Sequence, residues 1–178
     1  MLIYKDIFSG DELCSDSFPM KVTQNGLVLE FTGKYVVRKE GDIALEGSNP
    51  SAEEMDEGTE EAVERGVDIV LNHKLQDMPV YTDVKQFKEY IKEYMKKLAA
   101  KLKEQGQSDE ELTKFKSNMQ EFVGSLIKKD RFKNLQFFCG EGENAADGQL
   151  AILEYREAGD GDVPVMMLIR PGLEEEKC

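Results

Sequence analysis

A single histidine, His73, among 178 residues excludes most zinc chemistry at the outset, since the usual zinc motifs draw on two or more histidines or on clustered cysteines. Cysteine is almost as scarce. Cys14, Cys139 and Cys178 stand far apart, with no CxxC pair, and an odd, sparse set of this kind fits a reducing compartment better than a disulfide scaffold. No run approaches the roughly 18 to 20 apolar residues of a membrane span. The opening MLIYKDIFSGDEL lacks a basic region followed by a long apolar stretch, so no signal peptide is expected and the cytoplasm is the expected compartment. A phosphate loop of the GxxxxGK[ST] type is missing too. Without a recognisable set of nucleophile, base and orienting group, ordinary catalysis is not expected.

What is present is charge. Hydrophobic residues make up 40% and charged residues 33% of a chain with net charge −13, the balance of a folded, soluble protein long enough for one good core. The acidity argues against duplex nucleic acid as main partner and permits divalent cations and basic proteins. It is unevenly spread. Residues 83–131 carry 12 Lys and Arg against 9 Asp and Glu, and the remainder 11 against 27. A mildly basic insert in an acidic body is a polarity that orients encounters with a charged partner.

That insert carries the strongest structural signal. Val84, Phe87, Ile91, Tyr94, Met95, Leu98 and Leu102 recur at helical spacing, as do Leu112, Phe115, Met119, Phe122, Val123 and Leu126, predicting two amphipathic helices. Thr82 or Asp83 suits the first N-cap, Gly106 the first stop, and Ser108 with Glu111 a capping box for the second helix. Around this hairpin, at 83–131, the chain reads as a β-body over 1–39, 67–81 and 132–170. Strands are expected at Met1 to Phe8, at Lys21 to Thr23 and Leu27 to Phe31 around an Asn25-Gly26 turn, at Tyr35 to Arg38, and from Val67 toward Leu75. Phe132 to Cys139, Gln149 to Tyr155 and Val163 to Ile169 should form an antiparallel meander, with the apolar run Val165 to Ile169 central and covered on both faces. Asp11 to Met20 reads as irregular. Residues 40–66 hold ten acids, one base and three internal glycines, Gly41, Gly47 and Gly58, and read mostly as a long mobile loop. The fold class is α+β, mainly β.

Candidate sites are few. His73 reads as a strand histidine, exposed or hydrogen-bonded, and Cys139 as a small apolar core residue. Oxygen ligands for calcium stand at Glu141 to Asn144, at Asp160 to Asp162 and in the 53–64 run, but none matches the EF-hand loop; a calcium site would be weak and shared among loops. Lys85, Lys88, Lys92, Lys96, Lys97, Lys101 and Lys103 give the first helix a basic face. Two readings stand side by side there: i,i+4 pairing with the interleaved Glu89 and Glu93, or a docking surface for an acidic partner such as a tubulin tail, with Lys92, Lys96, Lys97 and Lys101 as its candidates.

Two stretches, Glu46-Gly47-Ser48-Asn49-Pro50-Ser51-Ala52-Glu53 and Phe132 to Glu141 (FKNLQFFCGE), resemble the translationally controlled tumour protein family, also called histamine-releasing factor. The start MLIYKD, Gly66 to His73 (GVDIVLNH), Tyr90 to Lys96 (YIKEYMK) and the ending Gly172 to Cys178 (GLEEEKC) are similar to it too, in order and at fitting spacing. The resemblance implies a β-tent of short antiparallel strands with a projecting two-helix hairpin and a mobile acidic loop, in one domain. That fold is similar to the exchange-factor chaperones of Rab GTPases, whose zinc-binding cysteine pairs are missing here, so no zinc is carried over. It implies calcium binding, tubulin and microtubule association, growth and survival (anti-apoptotic) roles, and an interaction with the small GTPase Rheb proposed as nucleotide exchange. Glu12 is the position that carries over for the GTPase contact, where a carboxylate could pair with a switch-region cation or disturb the nucleotide's magnesium. Cys178 matches the family's terminal cysteine, which can link two chains that are otherwise mainly monomeric. Family members also appear outside cells without a signal peptide.

Overall fold

The computed structural model describes residues 1–39, 63–158 and 161–177. Its middle layer is a six-stranded antiparallel sheet in the order β3-β4-β10-β9-β8-β7: Met20–Thr23, Val28–Thr32, Gly161–Ile169, Ala151–Ala158, Leu135–Cys139 and Gln76–Asp77. A three-stranded sheet in the order β11-β1-β2 (Leu173–Lys177, Leu2–Asp6, Glu12–Ser15) covers one face. The helical hairpin, α2 (Val84–Glu104) and α3 (Asp109–Leu126), packs on the other. β5 (Tyr35–Lys39) and β6 (Val63–Val67) pair as a separate two-stranded ribbon. The β-body with a helical hairpin is the α+β architecture expected.

Strand alternation explains the layering. In β10, Met167 and Ile169 join the cluster that holds Phe87, Leu98, Met119 and Leu126 of the hairpin, while Met166 and Leu168 join Tyr4, Leu13, Cys14 and Phe31 toward the smaller sheet. Successive side chains point to opposite faces, so an apolar run serves two cores. Each large side chain buried there contributes about 1.5–3 kcal/mol. Phe87, Phe132 and Phe137 lie 5.1–5.8 Å apart, centroid to centroid, fastening the hairpin's root to β8.

The hairpin caps follow the sequence closely. Asp83 accepts from the Lys85 N–H, and Ser108 and Glu111 form the reciprocal capping box. At the end of α2, Gly106 takes φ +96°; its N–H donates to the Lys103 carbonyl and that of Gln107 to Leu102, a Schellman closure that needs the left-handed glycine. The Asn25-Gly26 turn forms too, with positive φ at Gln24, Asn25 and Gly26.

Several expectations are corrected. Val67 onward does not run as a strand: Asp68–Asn72 is a short helix, α1. The Asp68 carboxylate accepts from the N–H groups of Lys34 and Ile69, and Ile69 is fully buried, so tertiary packing overrides β-branched propensity. His73 accordingly caps a helix and is not on a strand. The stretch from Asp11 to Met20, expected to be irregular, contains β2 paired with β1. The acidic stretch is shorter than the expected 40–66, because Val63 to Gly66 belong to β6; the mobility expected of 40–62 lies outside the described residues. The second hairpin helix ends at Leu126, and Lys129–Phe132 form a separate turn of helix, α4. The β-body does not stop at 170, since β11 pairs with β1.

Where the hairpin no longer covers the middle sheet, charge does. Arg131 of α4 donates to both carboxylate oxygens of Glu154 (2.7 and 3.1 Å). Arg156 donates to Glu154 through Nε (2.8 Å) and forks onto Glu30 (2.9 Å twice). These bonds depress the Glu154 carboxyl below its ordinary value, although burial alone would raise it.

Candidate functional site

The α2 surface has two distinct sides. At about 100° per residue, Lys85, Lys88, Lys92, Lys96 and Lys103 fall on one stripe opposite the buried Phe87, Ile91 and Leu98. The basic excess belongs to this helix, which holds seven lysines against three glutamates, whereas α3 holds two lysines against four acids. The interleaved i,i+4 pairs do not form: among the described residues, no α2 ammonium lies within 4.0 Å of a carboxylate oxygen. The α2 lysines therefore stand without a close carboxylate partner among the described residues.

The four candidate lysines separate. Lys92 and Lys96 are exposed on the stripe. Lys97 is turned toward the body, its ammonium 4.4 Å over the Phe8 ring and donating to the Asp147 carbonyl. Lys101 is half-buried on that flank. A heptad count along α2 would have separated them, because Lys97 and Lys101 sit about a third of a turn or more from the stripe.

The same flank opens into a groove of about 690 Å³ between α2 and the turn at 145–148. Its floor is tyrosine. Tyr81 and Tyr90 lie 5.1 Å apart and Tyr90 stacks at 5.9 Å on Tyr94. The Tyr90 hydroxyl donates to the Gly148 carbonyl and accepts from the Leu150 N–H, and burial raises both Tyr90 and Tyr94 well above the ordinary phenol range. Nothing in the sequence singled this groove out: Tyr94 reads as part of the apolar stripe, and neither Tyr81 nor Tyr90 stands out as a site residue.

At a second recess, Glu12 opens β2 at the rim of a polar hollow with Lys5, Asp11, His73, Lys74 and Glu141. Its carboxylate is about half exposed (54%) and 4.0 Å from His73 Nδ1. His73 is held edge-on against Phe18, and its burial lowers the imidazole's proton affinity despite the attraction of Glu12. The Asp11 Oδ2 is buried without a hydrogen-bond partner. Asp6, beside this loop, is buried and accepts from the N–H groups of Phe8, Ser9 and Gln149; burial raises its carboxyl and those bonds offset the rise only in part. The recess thus presents the half-exposed Glu12 carboxylate at the first residue of β2.

The cysteines offer no reactive thiolate among the described residues. Burial pushes Cys14 up to about 12 and raises Cys139; Cys178 lies outside the described residues. No three His, Cys, Asp or Glu side chains converge as a metal-binding group among the described residues, so those residues do not by themselves build a calcium cage. No helix among them is long and apolar enough to cross a membrane.

Known proteins with this arrangement are close in sequence and shape. A family model described as translationally controlled tumour protein matches residues 1–174. The translationally controlled tumour protein homologue of Trichinella pseudospiralis is 66% identical over 178 residues, covering 100% of both chains, and that of Caenorhabditis elegans is 54% identical over 182 residues, again 100% of both. The solution NMR structure of the Caenorhabditis elegans protein superposes with a TM-score of 0.77 at 54% identity, covering 100% of this chain and 99% of that one. The p23fyp structure from Schizosaccharomyces pombe gives 0.76 at 35% identity, with 100% of each covered. With the family pattern running through the β-body and hairpin alike, this chain belongs to the translationally controlled tumour protein family.

Proposed function

We propose that this chain is a non-enzymatic regulatory binding protein of the cytoplasm that docks acidic partners of the tubulin-tail type through the lysine stripe of α2, and so supports microtubule stability, growth and survival. One observation carries the reading: Lys85, Lys88, Lys92, Lys96 and Lys103 line one stripe with no carboxylate within 4.0 Å among the described residues. A single exposed pair contributes only about 0–1 kcal/mol. A row of unpaired cations on a rigid helix acts together, steering an acidic chain and holding it with a strong salt dependence. The test is microtubule co-sedimentation at low and high salt. Replacing the five stripe lysines by Gln should abolish most binding and flatten its salt dependence, while Lys97→Gln with Lys101→Gln should do less. Unchanged binding by the stripe variant would sink the reading.

A second reading is favoured by Glu12, a half-exposed carboxylate at the start of β2, directly after the turn that the buried Asp6 anchors. In it the chain acts as an exchange factor or chaperone for the small GTPase Rheb, with Glu12 pairing a switch cation or disturbing the magnesium site. Stopped-flow release of a fluorescent nucleotide decides it: the wild-type chain should accelerate release and Glu12→Gln should not. Calcium binding belongs to the proposal as a weak, loop-borne association. An amide-shift titration should show millimolar-range shifts spread over several loops, and a tight site confined to one loop would contradict it.

A further inference from the structure

We propose that the tyrosine-floored groove between α2 and the 145–148 turn is a binding site for arginine side chains of a basic peptide, with Tyr81 as the stacking ring, Tyr90 and Tyr94 as the packed floor behind it, and Glu89, Glu93 and Asp147 as counter-charges. It lies beside the lysine stripe and takes a partner of the opposite charge, so it stands or falls separately from the tubulin reading.

Three observations carry it. The groove's volume, about 690 Å³, lies within the roughly 300–1,000 Å³ of ordinary ligand pockets and suits a short extended segment. Its aromatic floor is fixed before any ligand arrives, because the Tyr90 hydroxyl is held by Gly148 and Leu150 and its ring packs between Tyr81 and Tyr94. A pre-ordered ring loses little freedom on binding, and its face attracts a cation, a flat guanidinium best of all because it stacks as well as pairs.

The charges give the sign. Glu89, Glu93 and Asp147 border the groove, and none of the three is in an ion pair among the described residues. Two lysines, Lys96 and Lys97, border it as well, the second held by the Asp147 carbonyl and the Phe8 ring, so carboxylates outnumber ammoniums three to two. An anionic ligand would meet that excess, whereas a guanidinium could stack on a tyrosine while donating in a forked pair to a carboxylate. The carboxylates are exposed, so the site is screened by salt and its affinity modest; discrimination rests on the ring contact.

The probe is a blocked peptide, acetyl-Gly-Arg-Gly-Arg-Gly amide, titrated into the full chain and followed by amide shifts, with the Lys and Glu versions of the same peptide beside it. Shifts are expected at 86–97 and 145–148, with the Arg peptide binding several-fold more tightly than the Lys peptide and the Glu peptide not at all. Glu89→Gln with Glu93→Gln, isosteric changes on an exposed helix face, should weaken the Arg peptide about tenfold, and Tyr81→Leu should erase the preference for Arg over Lys. Lys92→Gln on the neighbouring stripe should leave affinity unchanged or raise it. Equal affinity for the Arg and Lys peptides, binding of the Glu peptide, shifts confined to the acidic β-body, or a double Gln variant within twofold of wild type would each overturn the proposal.

Discussion

Replacing Glu154 by Gln tests how the hairpin's root is held to the sheet. Glu154 is 8% exposed and accepts from two arginines, Arg131 of α4 and Arg156 of its own strand, which in turn forks onto Glu30. Removing one member of a buried ion pair costs about 3–5 kcal/mol, most of it from the charge left behind. Here the cost is smaller. The Arg131 and Arg156 side chains are 30% and 35% exposed, so water partly solvates the stranded guanidiniums, and Glu30 still holds Arg156. We expect Glu154→Gln to lose about 2 kcal/mol, or about 4–8 °C in Tm for a domain of this size. The pH dependence fixes the cause. The folded carboxyl is depressed, so its contribution is fully present above the unfolded value, about 4.3, and is lost as pH falls through the lower folded value. Urea titrations of wild type and variant should therefore differ fully at pH 7 and draw together as pH falls from about 4.3 through the lower folded value. A gap under about 0.5 kcal/mol at pH 7, or one that persists unchanged in acid, would refute the reasoning and leave the contacts of Glu154 with Arg131 and Arg156 a solvated surface feature.

Three further outcomes are expected. His73 is buried against Phe18 and holds its proton less tightly than usual; an NMR titration should place its midpoint below about 6.5, and the chain should lose stability as pH falls from there toward the folded value. A His73 midpoint above 6.5 would mean that Glu12 governs it instead. Tyr94 carries a buried hydroxyl without a partner, close against Gly172, so Tyr94→Phe should be neutral or stabilising by about 1 kcal/mol, and a loss of more than that in chemical denaturation would reveal a missed hydrogen bond. Ser108→Ala removes one arm of the capping box and should cost about 1 kcal/mol, seen as earlier exchange of the Glu111 amide; unaltered protection there would show that the cap is idle.

The parts of the fold legible in sequence are those written in local rules. Period 3.6 gave the hairpin, Ser108 and Gly106 its inner ends, and the unbroken run in β10 its place between two cores. What sequence could not show depends on partners far away in the chain. Val67 to Leu71 has the composition of a strand, and it takes a helical turn because Asp68 is tied to Lys34 and Ile69 fills the core. β2 is only four residues long, and β11, five residues long, is rich in charge; pairing with β1 makes both of them strands. At the candidate surfaces, spacing identified the lysines, but not that Lys97 folds inward onto Phe8, nor that the tyrosines of the same helix line a groove.

The pairing of β1 on both sides has a consequence for the order of events during synthesis. Its neighbour β2 is made within a few residues, but its other neighbour, β11, lies at Leu173–Lys177. While the chain is still emerging, the smaller sheet has only a two-stranded fragment to offer, and a lone two-stranded hairpin is marginal in water. The middle sheet faces the same delay, because β4 must wait for β10. Contacts spanning almost the whole chain make for slow closure, so the hairpin, whose contacts are local, is the piece able to acquire structure early. The β-body would then assemble late and together, with β1 and β11 meeting in one step.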